Sequence, residues 1–184
     1  LAAAQTLHRR GWHVVIADLD PAGDVDEGLG ASIGERCVLD VTDTVAVDTL
    51  VAELGAQYGC LDGLINAAGY NRHQAVAELE DDVWRALLDV HLGGTLRVCR
   101  AAHPWLQKAR GAVVNFSSVA ARVGRPQRAP YSAAKGGIES LTRTLAIEWA
   151  VDGIRVNGVV PGWINTRLVQ QNLAAGRSDG VSLL

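Results

Sequence analysis

Residues 44–69 read TVAVDTLVAELGAQYGCLDGLINAAG. The pattern from Thr44 to Tyr58 is helical, Gly59 closes it, and Leu61 to Asn66 follows as a short apolar run ending in small residues. The same unit recurs in both directions along the chain. Upstream, a helical pattern from Leu1 to Arg10 stops at Gly11. Trp12 to Ala17 then reads as a strand with almost no polar alternation, as expected of a strand covered on both faces. Cys37 to Leu39 is a second, shorter strand. Downstream, a long helical region runs from about Asp81 to Ala109, with Gly93 and Gly94 inside it and Gly111 at its end. Ala112 to Phe116 is a strand, and a helix follows from about Ala129 to Ala150, terminated by Asp152-Gly153. Ile154 to Val160 is the last clear strand, stopped by Pro161-Gly162. This alternation predicts an α/β fold built on a parallel sheet with helices on both faces. In such sheets ligands bind outside the carboxyl ends of the strands.

At 184 residues the chain suits a single domain, residues 1–184. Apolar residues make up 48% and charged residues 20%, proportions ordinary for a globular protein. The net charge of -3 gives no reason to expect nucleic acid or an anionic membrane as partner. No stretch is long and apolar enough to span a bilayer. Cys37, Cys60 and Cys99 are odd in number and far apart, which excludes a complete disulfide framework and points to a reducing, cytoplasmic setting. They read as small, partly buried hydrophobes. The five histidines show no metal-ligand spacing, so no metal site is expected. The chain holds no methionine and opens inside a helical pattern, so it is expected to be an incomplete sequence. The tail from Ala174 to Leu184, rich in glycine and serine, reads as a loop.

Chemistry-bearing residues collect where the strands end. The first strand ends in Asp18, a carboxylate able to accept hydrogen bonds from ribose hydroxyls and to repel an added phosphate. Asp40 follows the second strand, where it could meet an adenine edge or help begin the next helix. Asn66-Ala67-Ala68-Gly69 lets backbone approach a ligand closely, and the asparagine could tie adjacent strands together. Ser117 and Ser118 end the strand from Ala112. Tyr131 stands thirteen residues beyond Ser118, and Lys135 four further on. That spacing of four puts phenol and ammonium on one helix face, where the ammonium stabilises a phenolate.

In order and spacing, Asp18, Asp40, Asn66-Ala67-Ala68-Gly69, Ser118, Tyr131, Lys135 and the stretch from Pro161 to Thr166 resemble the short-chain dehydrogenase/reductase family. The resemblance runs through essentially all of the chain. It implies a Rossmann-like, doubly wound parallel sheet and hydride transfer between NAD(H) and a small-molecule alcohol or ketone, with no metal. On that resemblance Ser118 orients the substrate oxygen, Tyr131 exchanges the proton, and Lys135 holds the nicotinamide ribose and lowers the tyrosine pKa. Asp18 would take the adenosine ribose, which favours NAD over NADP. Asp40 and Val41 would flank adenine, while Asn66, Ala68 and Gly69 line the path between. Pro161, Gly162, Ile164 and Thr166 would form the nicotinamide-side loop. The family's full-length members imply a homo-oligomer, a dimer or tetramer.

Two departures stand out. Val90-His91-Leu92 occupies the place where the family has asparagine in a proton relay. An imidazole can both donate and accept, so His91 could serve a relay, or could only pack beside the site. The second departure is larger. The first strand, its glycine-rich phosphate loop and the last strand are missing, so the doubly wound sheet is expected to be incomplete. The absent first strand is central in that order. The segment alone is therefore expected to fold poorly and bind NAD weakly or not at all. A catalytically inactive fragment or cofactor-sensing scaffold is the alternative to an enzyme.

Overall fold

The computed structural model describes residues 2–20, 34–162 and 164. Five helices and five strands are described: α1 (Ala2–Arg9), β1 (Val15–Asp18), β2 (Glu35–Val38), α2 (Thr44–Tyr58), β3 (Gly63–Asn66), α3 (Asp81–Leu88), α4 (Gly94–Ala109), β4 (Ala112–Phe116), α5 (Ala129–Glu148) and β5 (Arg155–Val159). Every strand pairing is parallel. β1 pairs with β2, and β3, β4 and β5 pair in that order as a second sheet. Among the described residues no strand hydrogen-bonds β1 to β3, which leaves the Rossmann-like sheet incomplete at its middle.

Local chemistry explains where the elements begin and end. Asp43 opens α2 by accepting a hydrogen bond from the Ala46 N–H at 3.0 Å, and Gly59, at φ +82°, closes it. Pro130 sits in the first turn of α5, where its missing N–H costs nothing. The core lies between α2, α4, α5 and the larger sheet, built from side chains such as Val47, Leu106, Val113, Leu145, Ile154 and Val156. Gly55 makes that packing possible, because a Cβ there would fall 2.0 Å from the Trp105 ring.

Two features differ from the reading of the sequence. The first strand starts at Val15 rather than Trp12, and none of its four residues is buried. α1 likewise buries no residue. The long helical region is also two helices. One turn of π-helix, Asp89–Gly93, separates α3 from α4 and takes in one extra residue. Gly94 follows it, where a Cβ would lie 2.6 Å from Val41 Cγ2, so the helix can approach the loop after β2 only through glycine.

Candidate active site

The strand register carries the predicted residues to one set of strand ends. Asp18 lies opposite Val38, and the N–H of Leu39 donates to the Asp18 carbonyl at 2.8 Å, so Asp18 and Asp40 end neighbouring strands. Asn66 lies opposite Asn115, and Phe116 opposite Val159. The Val119 N–H donates to the Pro161 carbonyl at 3.0 Å, which draws Pro161-Gly162 onto the turn that carries Ser118. Ile164 is exposed. Trp163, Asn165 and Thr166 lie outside the described residues, as does the tail from Ala174.

Asp18 is exposed, and its Oδ1 accepts from the Asp20 N–H at 3.2 Å. Asp40 Oδ1 accepts from both the hydroxyl and the N–H of Thr42, at 2.7 and 2.8 Å. The Thr42 hydroxyl, then its N–H, hold the Asp40 carboxyl below the usual carboxylate range. The helix-starting role falls to Asp43 instead. Arg97 ties this loop to the π-turn, with hydrogen bonds to Thr44 Oγ1, the Val41 carbonyl and the Asp89 carboxylate.

Asn66 does join adjacent strands. Its Nδ2 donates to Asn115 Oδ1 at 2.9 Å and to Cys99 Sγ at 3.2 Å. Asn115 in turn donates to Thr142 Oγ1 at 3.0 Å, and Thr142 donates to the Ile138 carbonyl. This chain, buried from Asn115 onward, ties β3 and β4 to α5 at Thr142, seven residues past Lys135. Its anchor was visible as the one polar residue within the apolar run Ala112 to Phe116, yet nothing in the sequence told which partner Asn115 would take. Cys99 serves it as an inert acceptor, its thiol pushed up to about 12 by burial.

Lys135 is buried, and its Nζ donates to the Phe116 carbonyl at 2.7 Å while lying 5.6 Å from the Tyr131 ring centre. Burial pushes its pKa down to about 8. Ser118 Oγ accepts from the Ala120 N–H at 3.2 Å, which orients the hydroxyl and leaves its own proton available to a ligand. Ser117 has a different role. Its hydroxyl lies 3.0 Å from the Lys135 carbonyl and 3.1 Å from Glu139 Oε1, fixing the strand end to α5. Glu139 also receives Arg122, whose hydrogen bond is the main cause holding the carboxyl below its ordinary value. Glu139 carried no signal in the sequence beyond lying one helical turn past Lys135.

His91 is 2% exposed and meets the Tyr131 ring edge-on, with ring centres 5.3 Å apart. Its Nε2 lies 2.7 Å from the Tyr70 carbonyl oxygen and 3.3 Å from the Tyr70 N–H. Two lone pairs would repel at the shorter distance, so Nε2 carries the proton and Nδ1 is an acceptor. Among the described residues that buried Nδ1 has no partner. Burial first, and the Lys135 charge second, hold the imidazole pKa down to about 4, so His91 is neutral near pH 7. Gly69, at φ +153°, makes room for the ring: a Cβ there would fall 2.1 Å from His91 Cε1.

The donor set fits a dinucleotide. Asp18 offers a carboxylate acceptor at one end of the strand edge, Lys135 a buried ammonium and Ser118 a hydroxyl at the other, with Ala68-Gly69 backbone between. Among the described residues no group of His, Cys, Asp or Glu side chains could hold a metal ion. No described helix is long and apolar enough to cross a membrane.

A family model described as Enoyl-(Acyl carrier protein) reductase matches residues 1–179. The chain is 36% identical over 173 residues to a trans-4-hydroxycyclohexanecarboxylate dehydrogenase of Sinomonas cyclohexanicum, covering 89% of this chain and 67% of that protein. Its structure resembles that of a short-chain dehydrogenase/reductase from Burkholderia xenovorans, with a TM-score of 0.89 and 31% identity over 96% of this chain and 70% of the other. A gluconate 5-dehydrogenase from Burkholderia cenocepacia, solved with NADP and tartrate, gives a TM-score of 0.80 and 30% identity, covering 92% and 69% of the two chains. The chain thus spans about two thirds of the length of the relatives it matches. On its fold, its strand-end residues and these likenesses, the chain belongs to the short-chain dehydrogenase/reductase family.

Proposed function

We propose that the protein interconverts a secondary alcohol and a ketone, with Ser118, Tyr131 and Lys135 as the reacting group. The observation that carries this reading is the buried Lys135 ammonium, held on the Phe116 carbonyl and 5.6 Å from the Tyr131 ring centre. In oxidation the Tyr131 phenolate takes the hydroxyl proton while Ser118 holds the same oxygen. In reduction Tyr131 returns that proton to the carbonyl oxygen. A bound nicotinamide cofactor supplies the acceptor or donor of the hydride that leaves or enters the carbinol carbon. Lys135 stabilises the phenolate and presents N–H groups to ribose hydroxyls. His91 Nδ1 is free to accept a hydrogen bond beside Tyr131, which supports a proton path in place of mere packing. Asp40, Val41, Asn66, Ala68, Gly69, Pro161, Gly162 and Ile164 complete the cofactor cleft.

The exposed Asp18 carboxylate supports NAD as the preferred cofactor, because a ribose phosphate placed there would meet its charge. The likeness to an NADP-bound dehydrogenase supports NADP as the second reading. A relative named a trans-4-hydroxycyclohexanecarboxylate dehydrogenase supports a cyclic secondary alcohol as substrate. Assay of the full-length protein on a panel of secondary alcohols and ketones, with NAD and NADP in parallel, tests both points. NAD-dependent turnover with at least about tenfold preference over NADP is expected, since repulsion near 1.4 kcal/mol suffices. Equal use of the two, or preference for NADP, overturns the cofactor assignment.

A further inference from the structure

The π-turn that carries His91 is held from three sides, and on each a glycine permits the approach. A Cβ on Gly69 would fall 2.1 Å from His91 Cε1, and one on Gly137 of α5 would fall 2.7 Å from Leu92 Cδ2. On the third side a Cβ on Gly94 would lie 2.6 Å from Val41 Cγ2. Packing this close leaves the turn little room to shift unless its neighbours shift too. The third neighbour is the loop after β2, whose Asp40 and Val41 flank adenine on the proposed reading.

Arg97 joins that loop to the turn. It stands on α4 with its side chain 21% exposed. Nε donates to Thr44 Oγ1 at 3.1 Å, and Nη1 donates to the Val41 carbonyl at 3.3 Å. Toward the turn, Nη1 also reaches the Asp89 carbonyl at 3.4 Å, and Nη2 pairs with Asp89 Oδ1. Asp89 is the first residue of the π-turn and His91 the third. One planar guanidinium thus bridges both segments with all three nitrogens in use, which the single ammonium of a lysine could not do. Asp89 is 45% exposed, so the ion pair by itself adds little to stability. Its distinguishing property is that it connects two parts of the site. Within the turn, the His91 carbonyl accepts from the Thr95 hydroxyl at 2.7 Å, and Nε2 is tied to the Tyr70 carbonyl. The aim of the imidazole at Tyr131 therefore follows the position of the turn.

We infer that Arg97 is a positioning residue for the reaction: it locks the adenine-side loop to the π-turn, so that a cofactor seated on that loop fixes the aim of His91 at Tyr131. The inference rests on the reading of His91 as an acceptor on the proton path and adds what aims it. Among the described residues the hydrogen bonds of Arg97 go to Thr44, Val41 and Asp89 alone, so it acts on Tyr131 only through His91.

The test is a double-mutant cycle on the full-length protein at saturating NAD, with a secondary alcohol that the parent oxidises. Arg97→Lys keeps the charge and gives up the bridge, while Asp89→Ala removes the ion pair from the turn. Thermal unfolding of each checks that it is folded. In either variant kcat should fall about 5- to 10-fold, and the pH–rate profile should take the shape seen in His91→Ala. In the His91→Ala background the same changes should move kcat by less than about twofold, because the group they aim is gone. A raised KM for NAD with kcat unchanged, or equal falls in kcat in both backgrounds, overturns the positioning role alone. A His91→Ala protein with the parent's kcat and pH–rate profile overturns the proton path beneath it, and the inference with it.

Discussion

His91 takes a position on the π-turn where its two nitrogens have unequal duties. Nε2 is spent on the Tyr70 carbonyl, and Nδ1 is left as a buried acceptor beside Tyr131 and Lys135. The sequence showed that an imidazole stood there but not its tautomer, because the tautomer is set by a carbonyl 21 residues away. A His91→Ala variant of the full-length protein should turn over more slowly, by about 10- to 100-fold, while keeping cofactor affinity. Its pH–rate profile should change shape, since an acceptor on the proton path is lost. A profile identical in shape to the parent's leaves His91 with a packing role only. The same variant has a stability signature. With its folded pKa near 4 against an ordinary 6.5, His91 lets the native state bind fewer protons than the unfolded chain in that window. That contribution is present above pH 6.5 and lost as pH falls through 4. Denaturant titrations should therefore show a shallower acid-side loss in His91→Ala.

The loop after β3 and the turn between α3 and α4 work as a pair, and glycine decides the fit. Gly69 gives His91 its space, and Gly94 gives Val41 its space. Gly69→Ala would drive a methyl group into the imidazole and impose φ +153° on a residue with a side chain. Loss of about 2–4 kcal/mol is expected from chemical denaturation, well above an ordinary surface change. A loss under about 0.5 kcal/mol would mean that the loop moves aside and that the pairing is loose. α2 and β4 were legible to the residue, because a glycine stop and an apolar run bounded by turns mark their ends. The π-turn was not. One extra residue in a turn leaves the helical hydrophobic pattern nearly intact on either side, so Asp81 to Ala109 read as continuous. The early start given to β1 had another cause: Trp12 to Val14 look like strand, but the register of the ladder begins at Val15, and of the three only the Val14 carbonyl joins it, accepting from the Glu35 N–H at 3.1 Å.

At the scale of the molecule, the fold puts its polar groups at the ends of parallel strands and its apolar side chains between α2, α4, α5 and the larger sheet. The order of helices and strands was enough to anticipate this, since parallel neighbours need helical crossovers. The buried chain Asn66–Asn115–Thr142 was only half legible, because its members are far apart in sequence and meet only once β3, β4 and α5 pack. The sequence placed Tyr131 and Lys135 on one helix face, but the Phe116 carbonyl that holds Lys135 and the His91 ring that meets Tyr131 appear only in the fold. On the proposed mechanism Tyr131 moves the proton. Replacing it by phenylalanine keeps the ring that His91 and Arg128 meet and removes only the hydroxyl. In the full-length protein, steady-state turnover of Tyr131→Phe should drop by at least about 100-fold, with cofactor affinity within about threefold of the parent. Turnover equal to the parent's would contradict the claim.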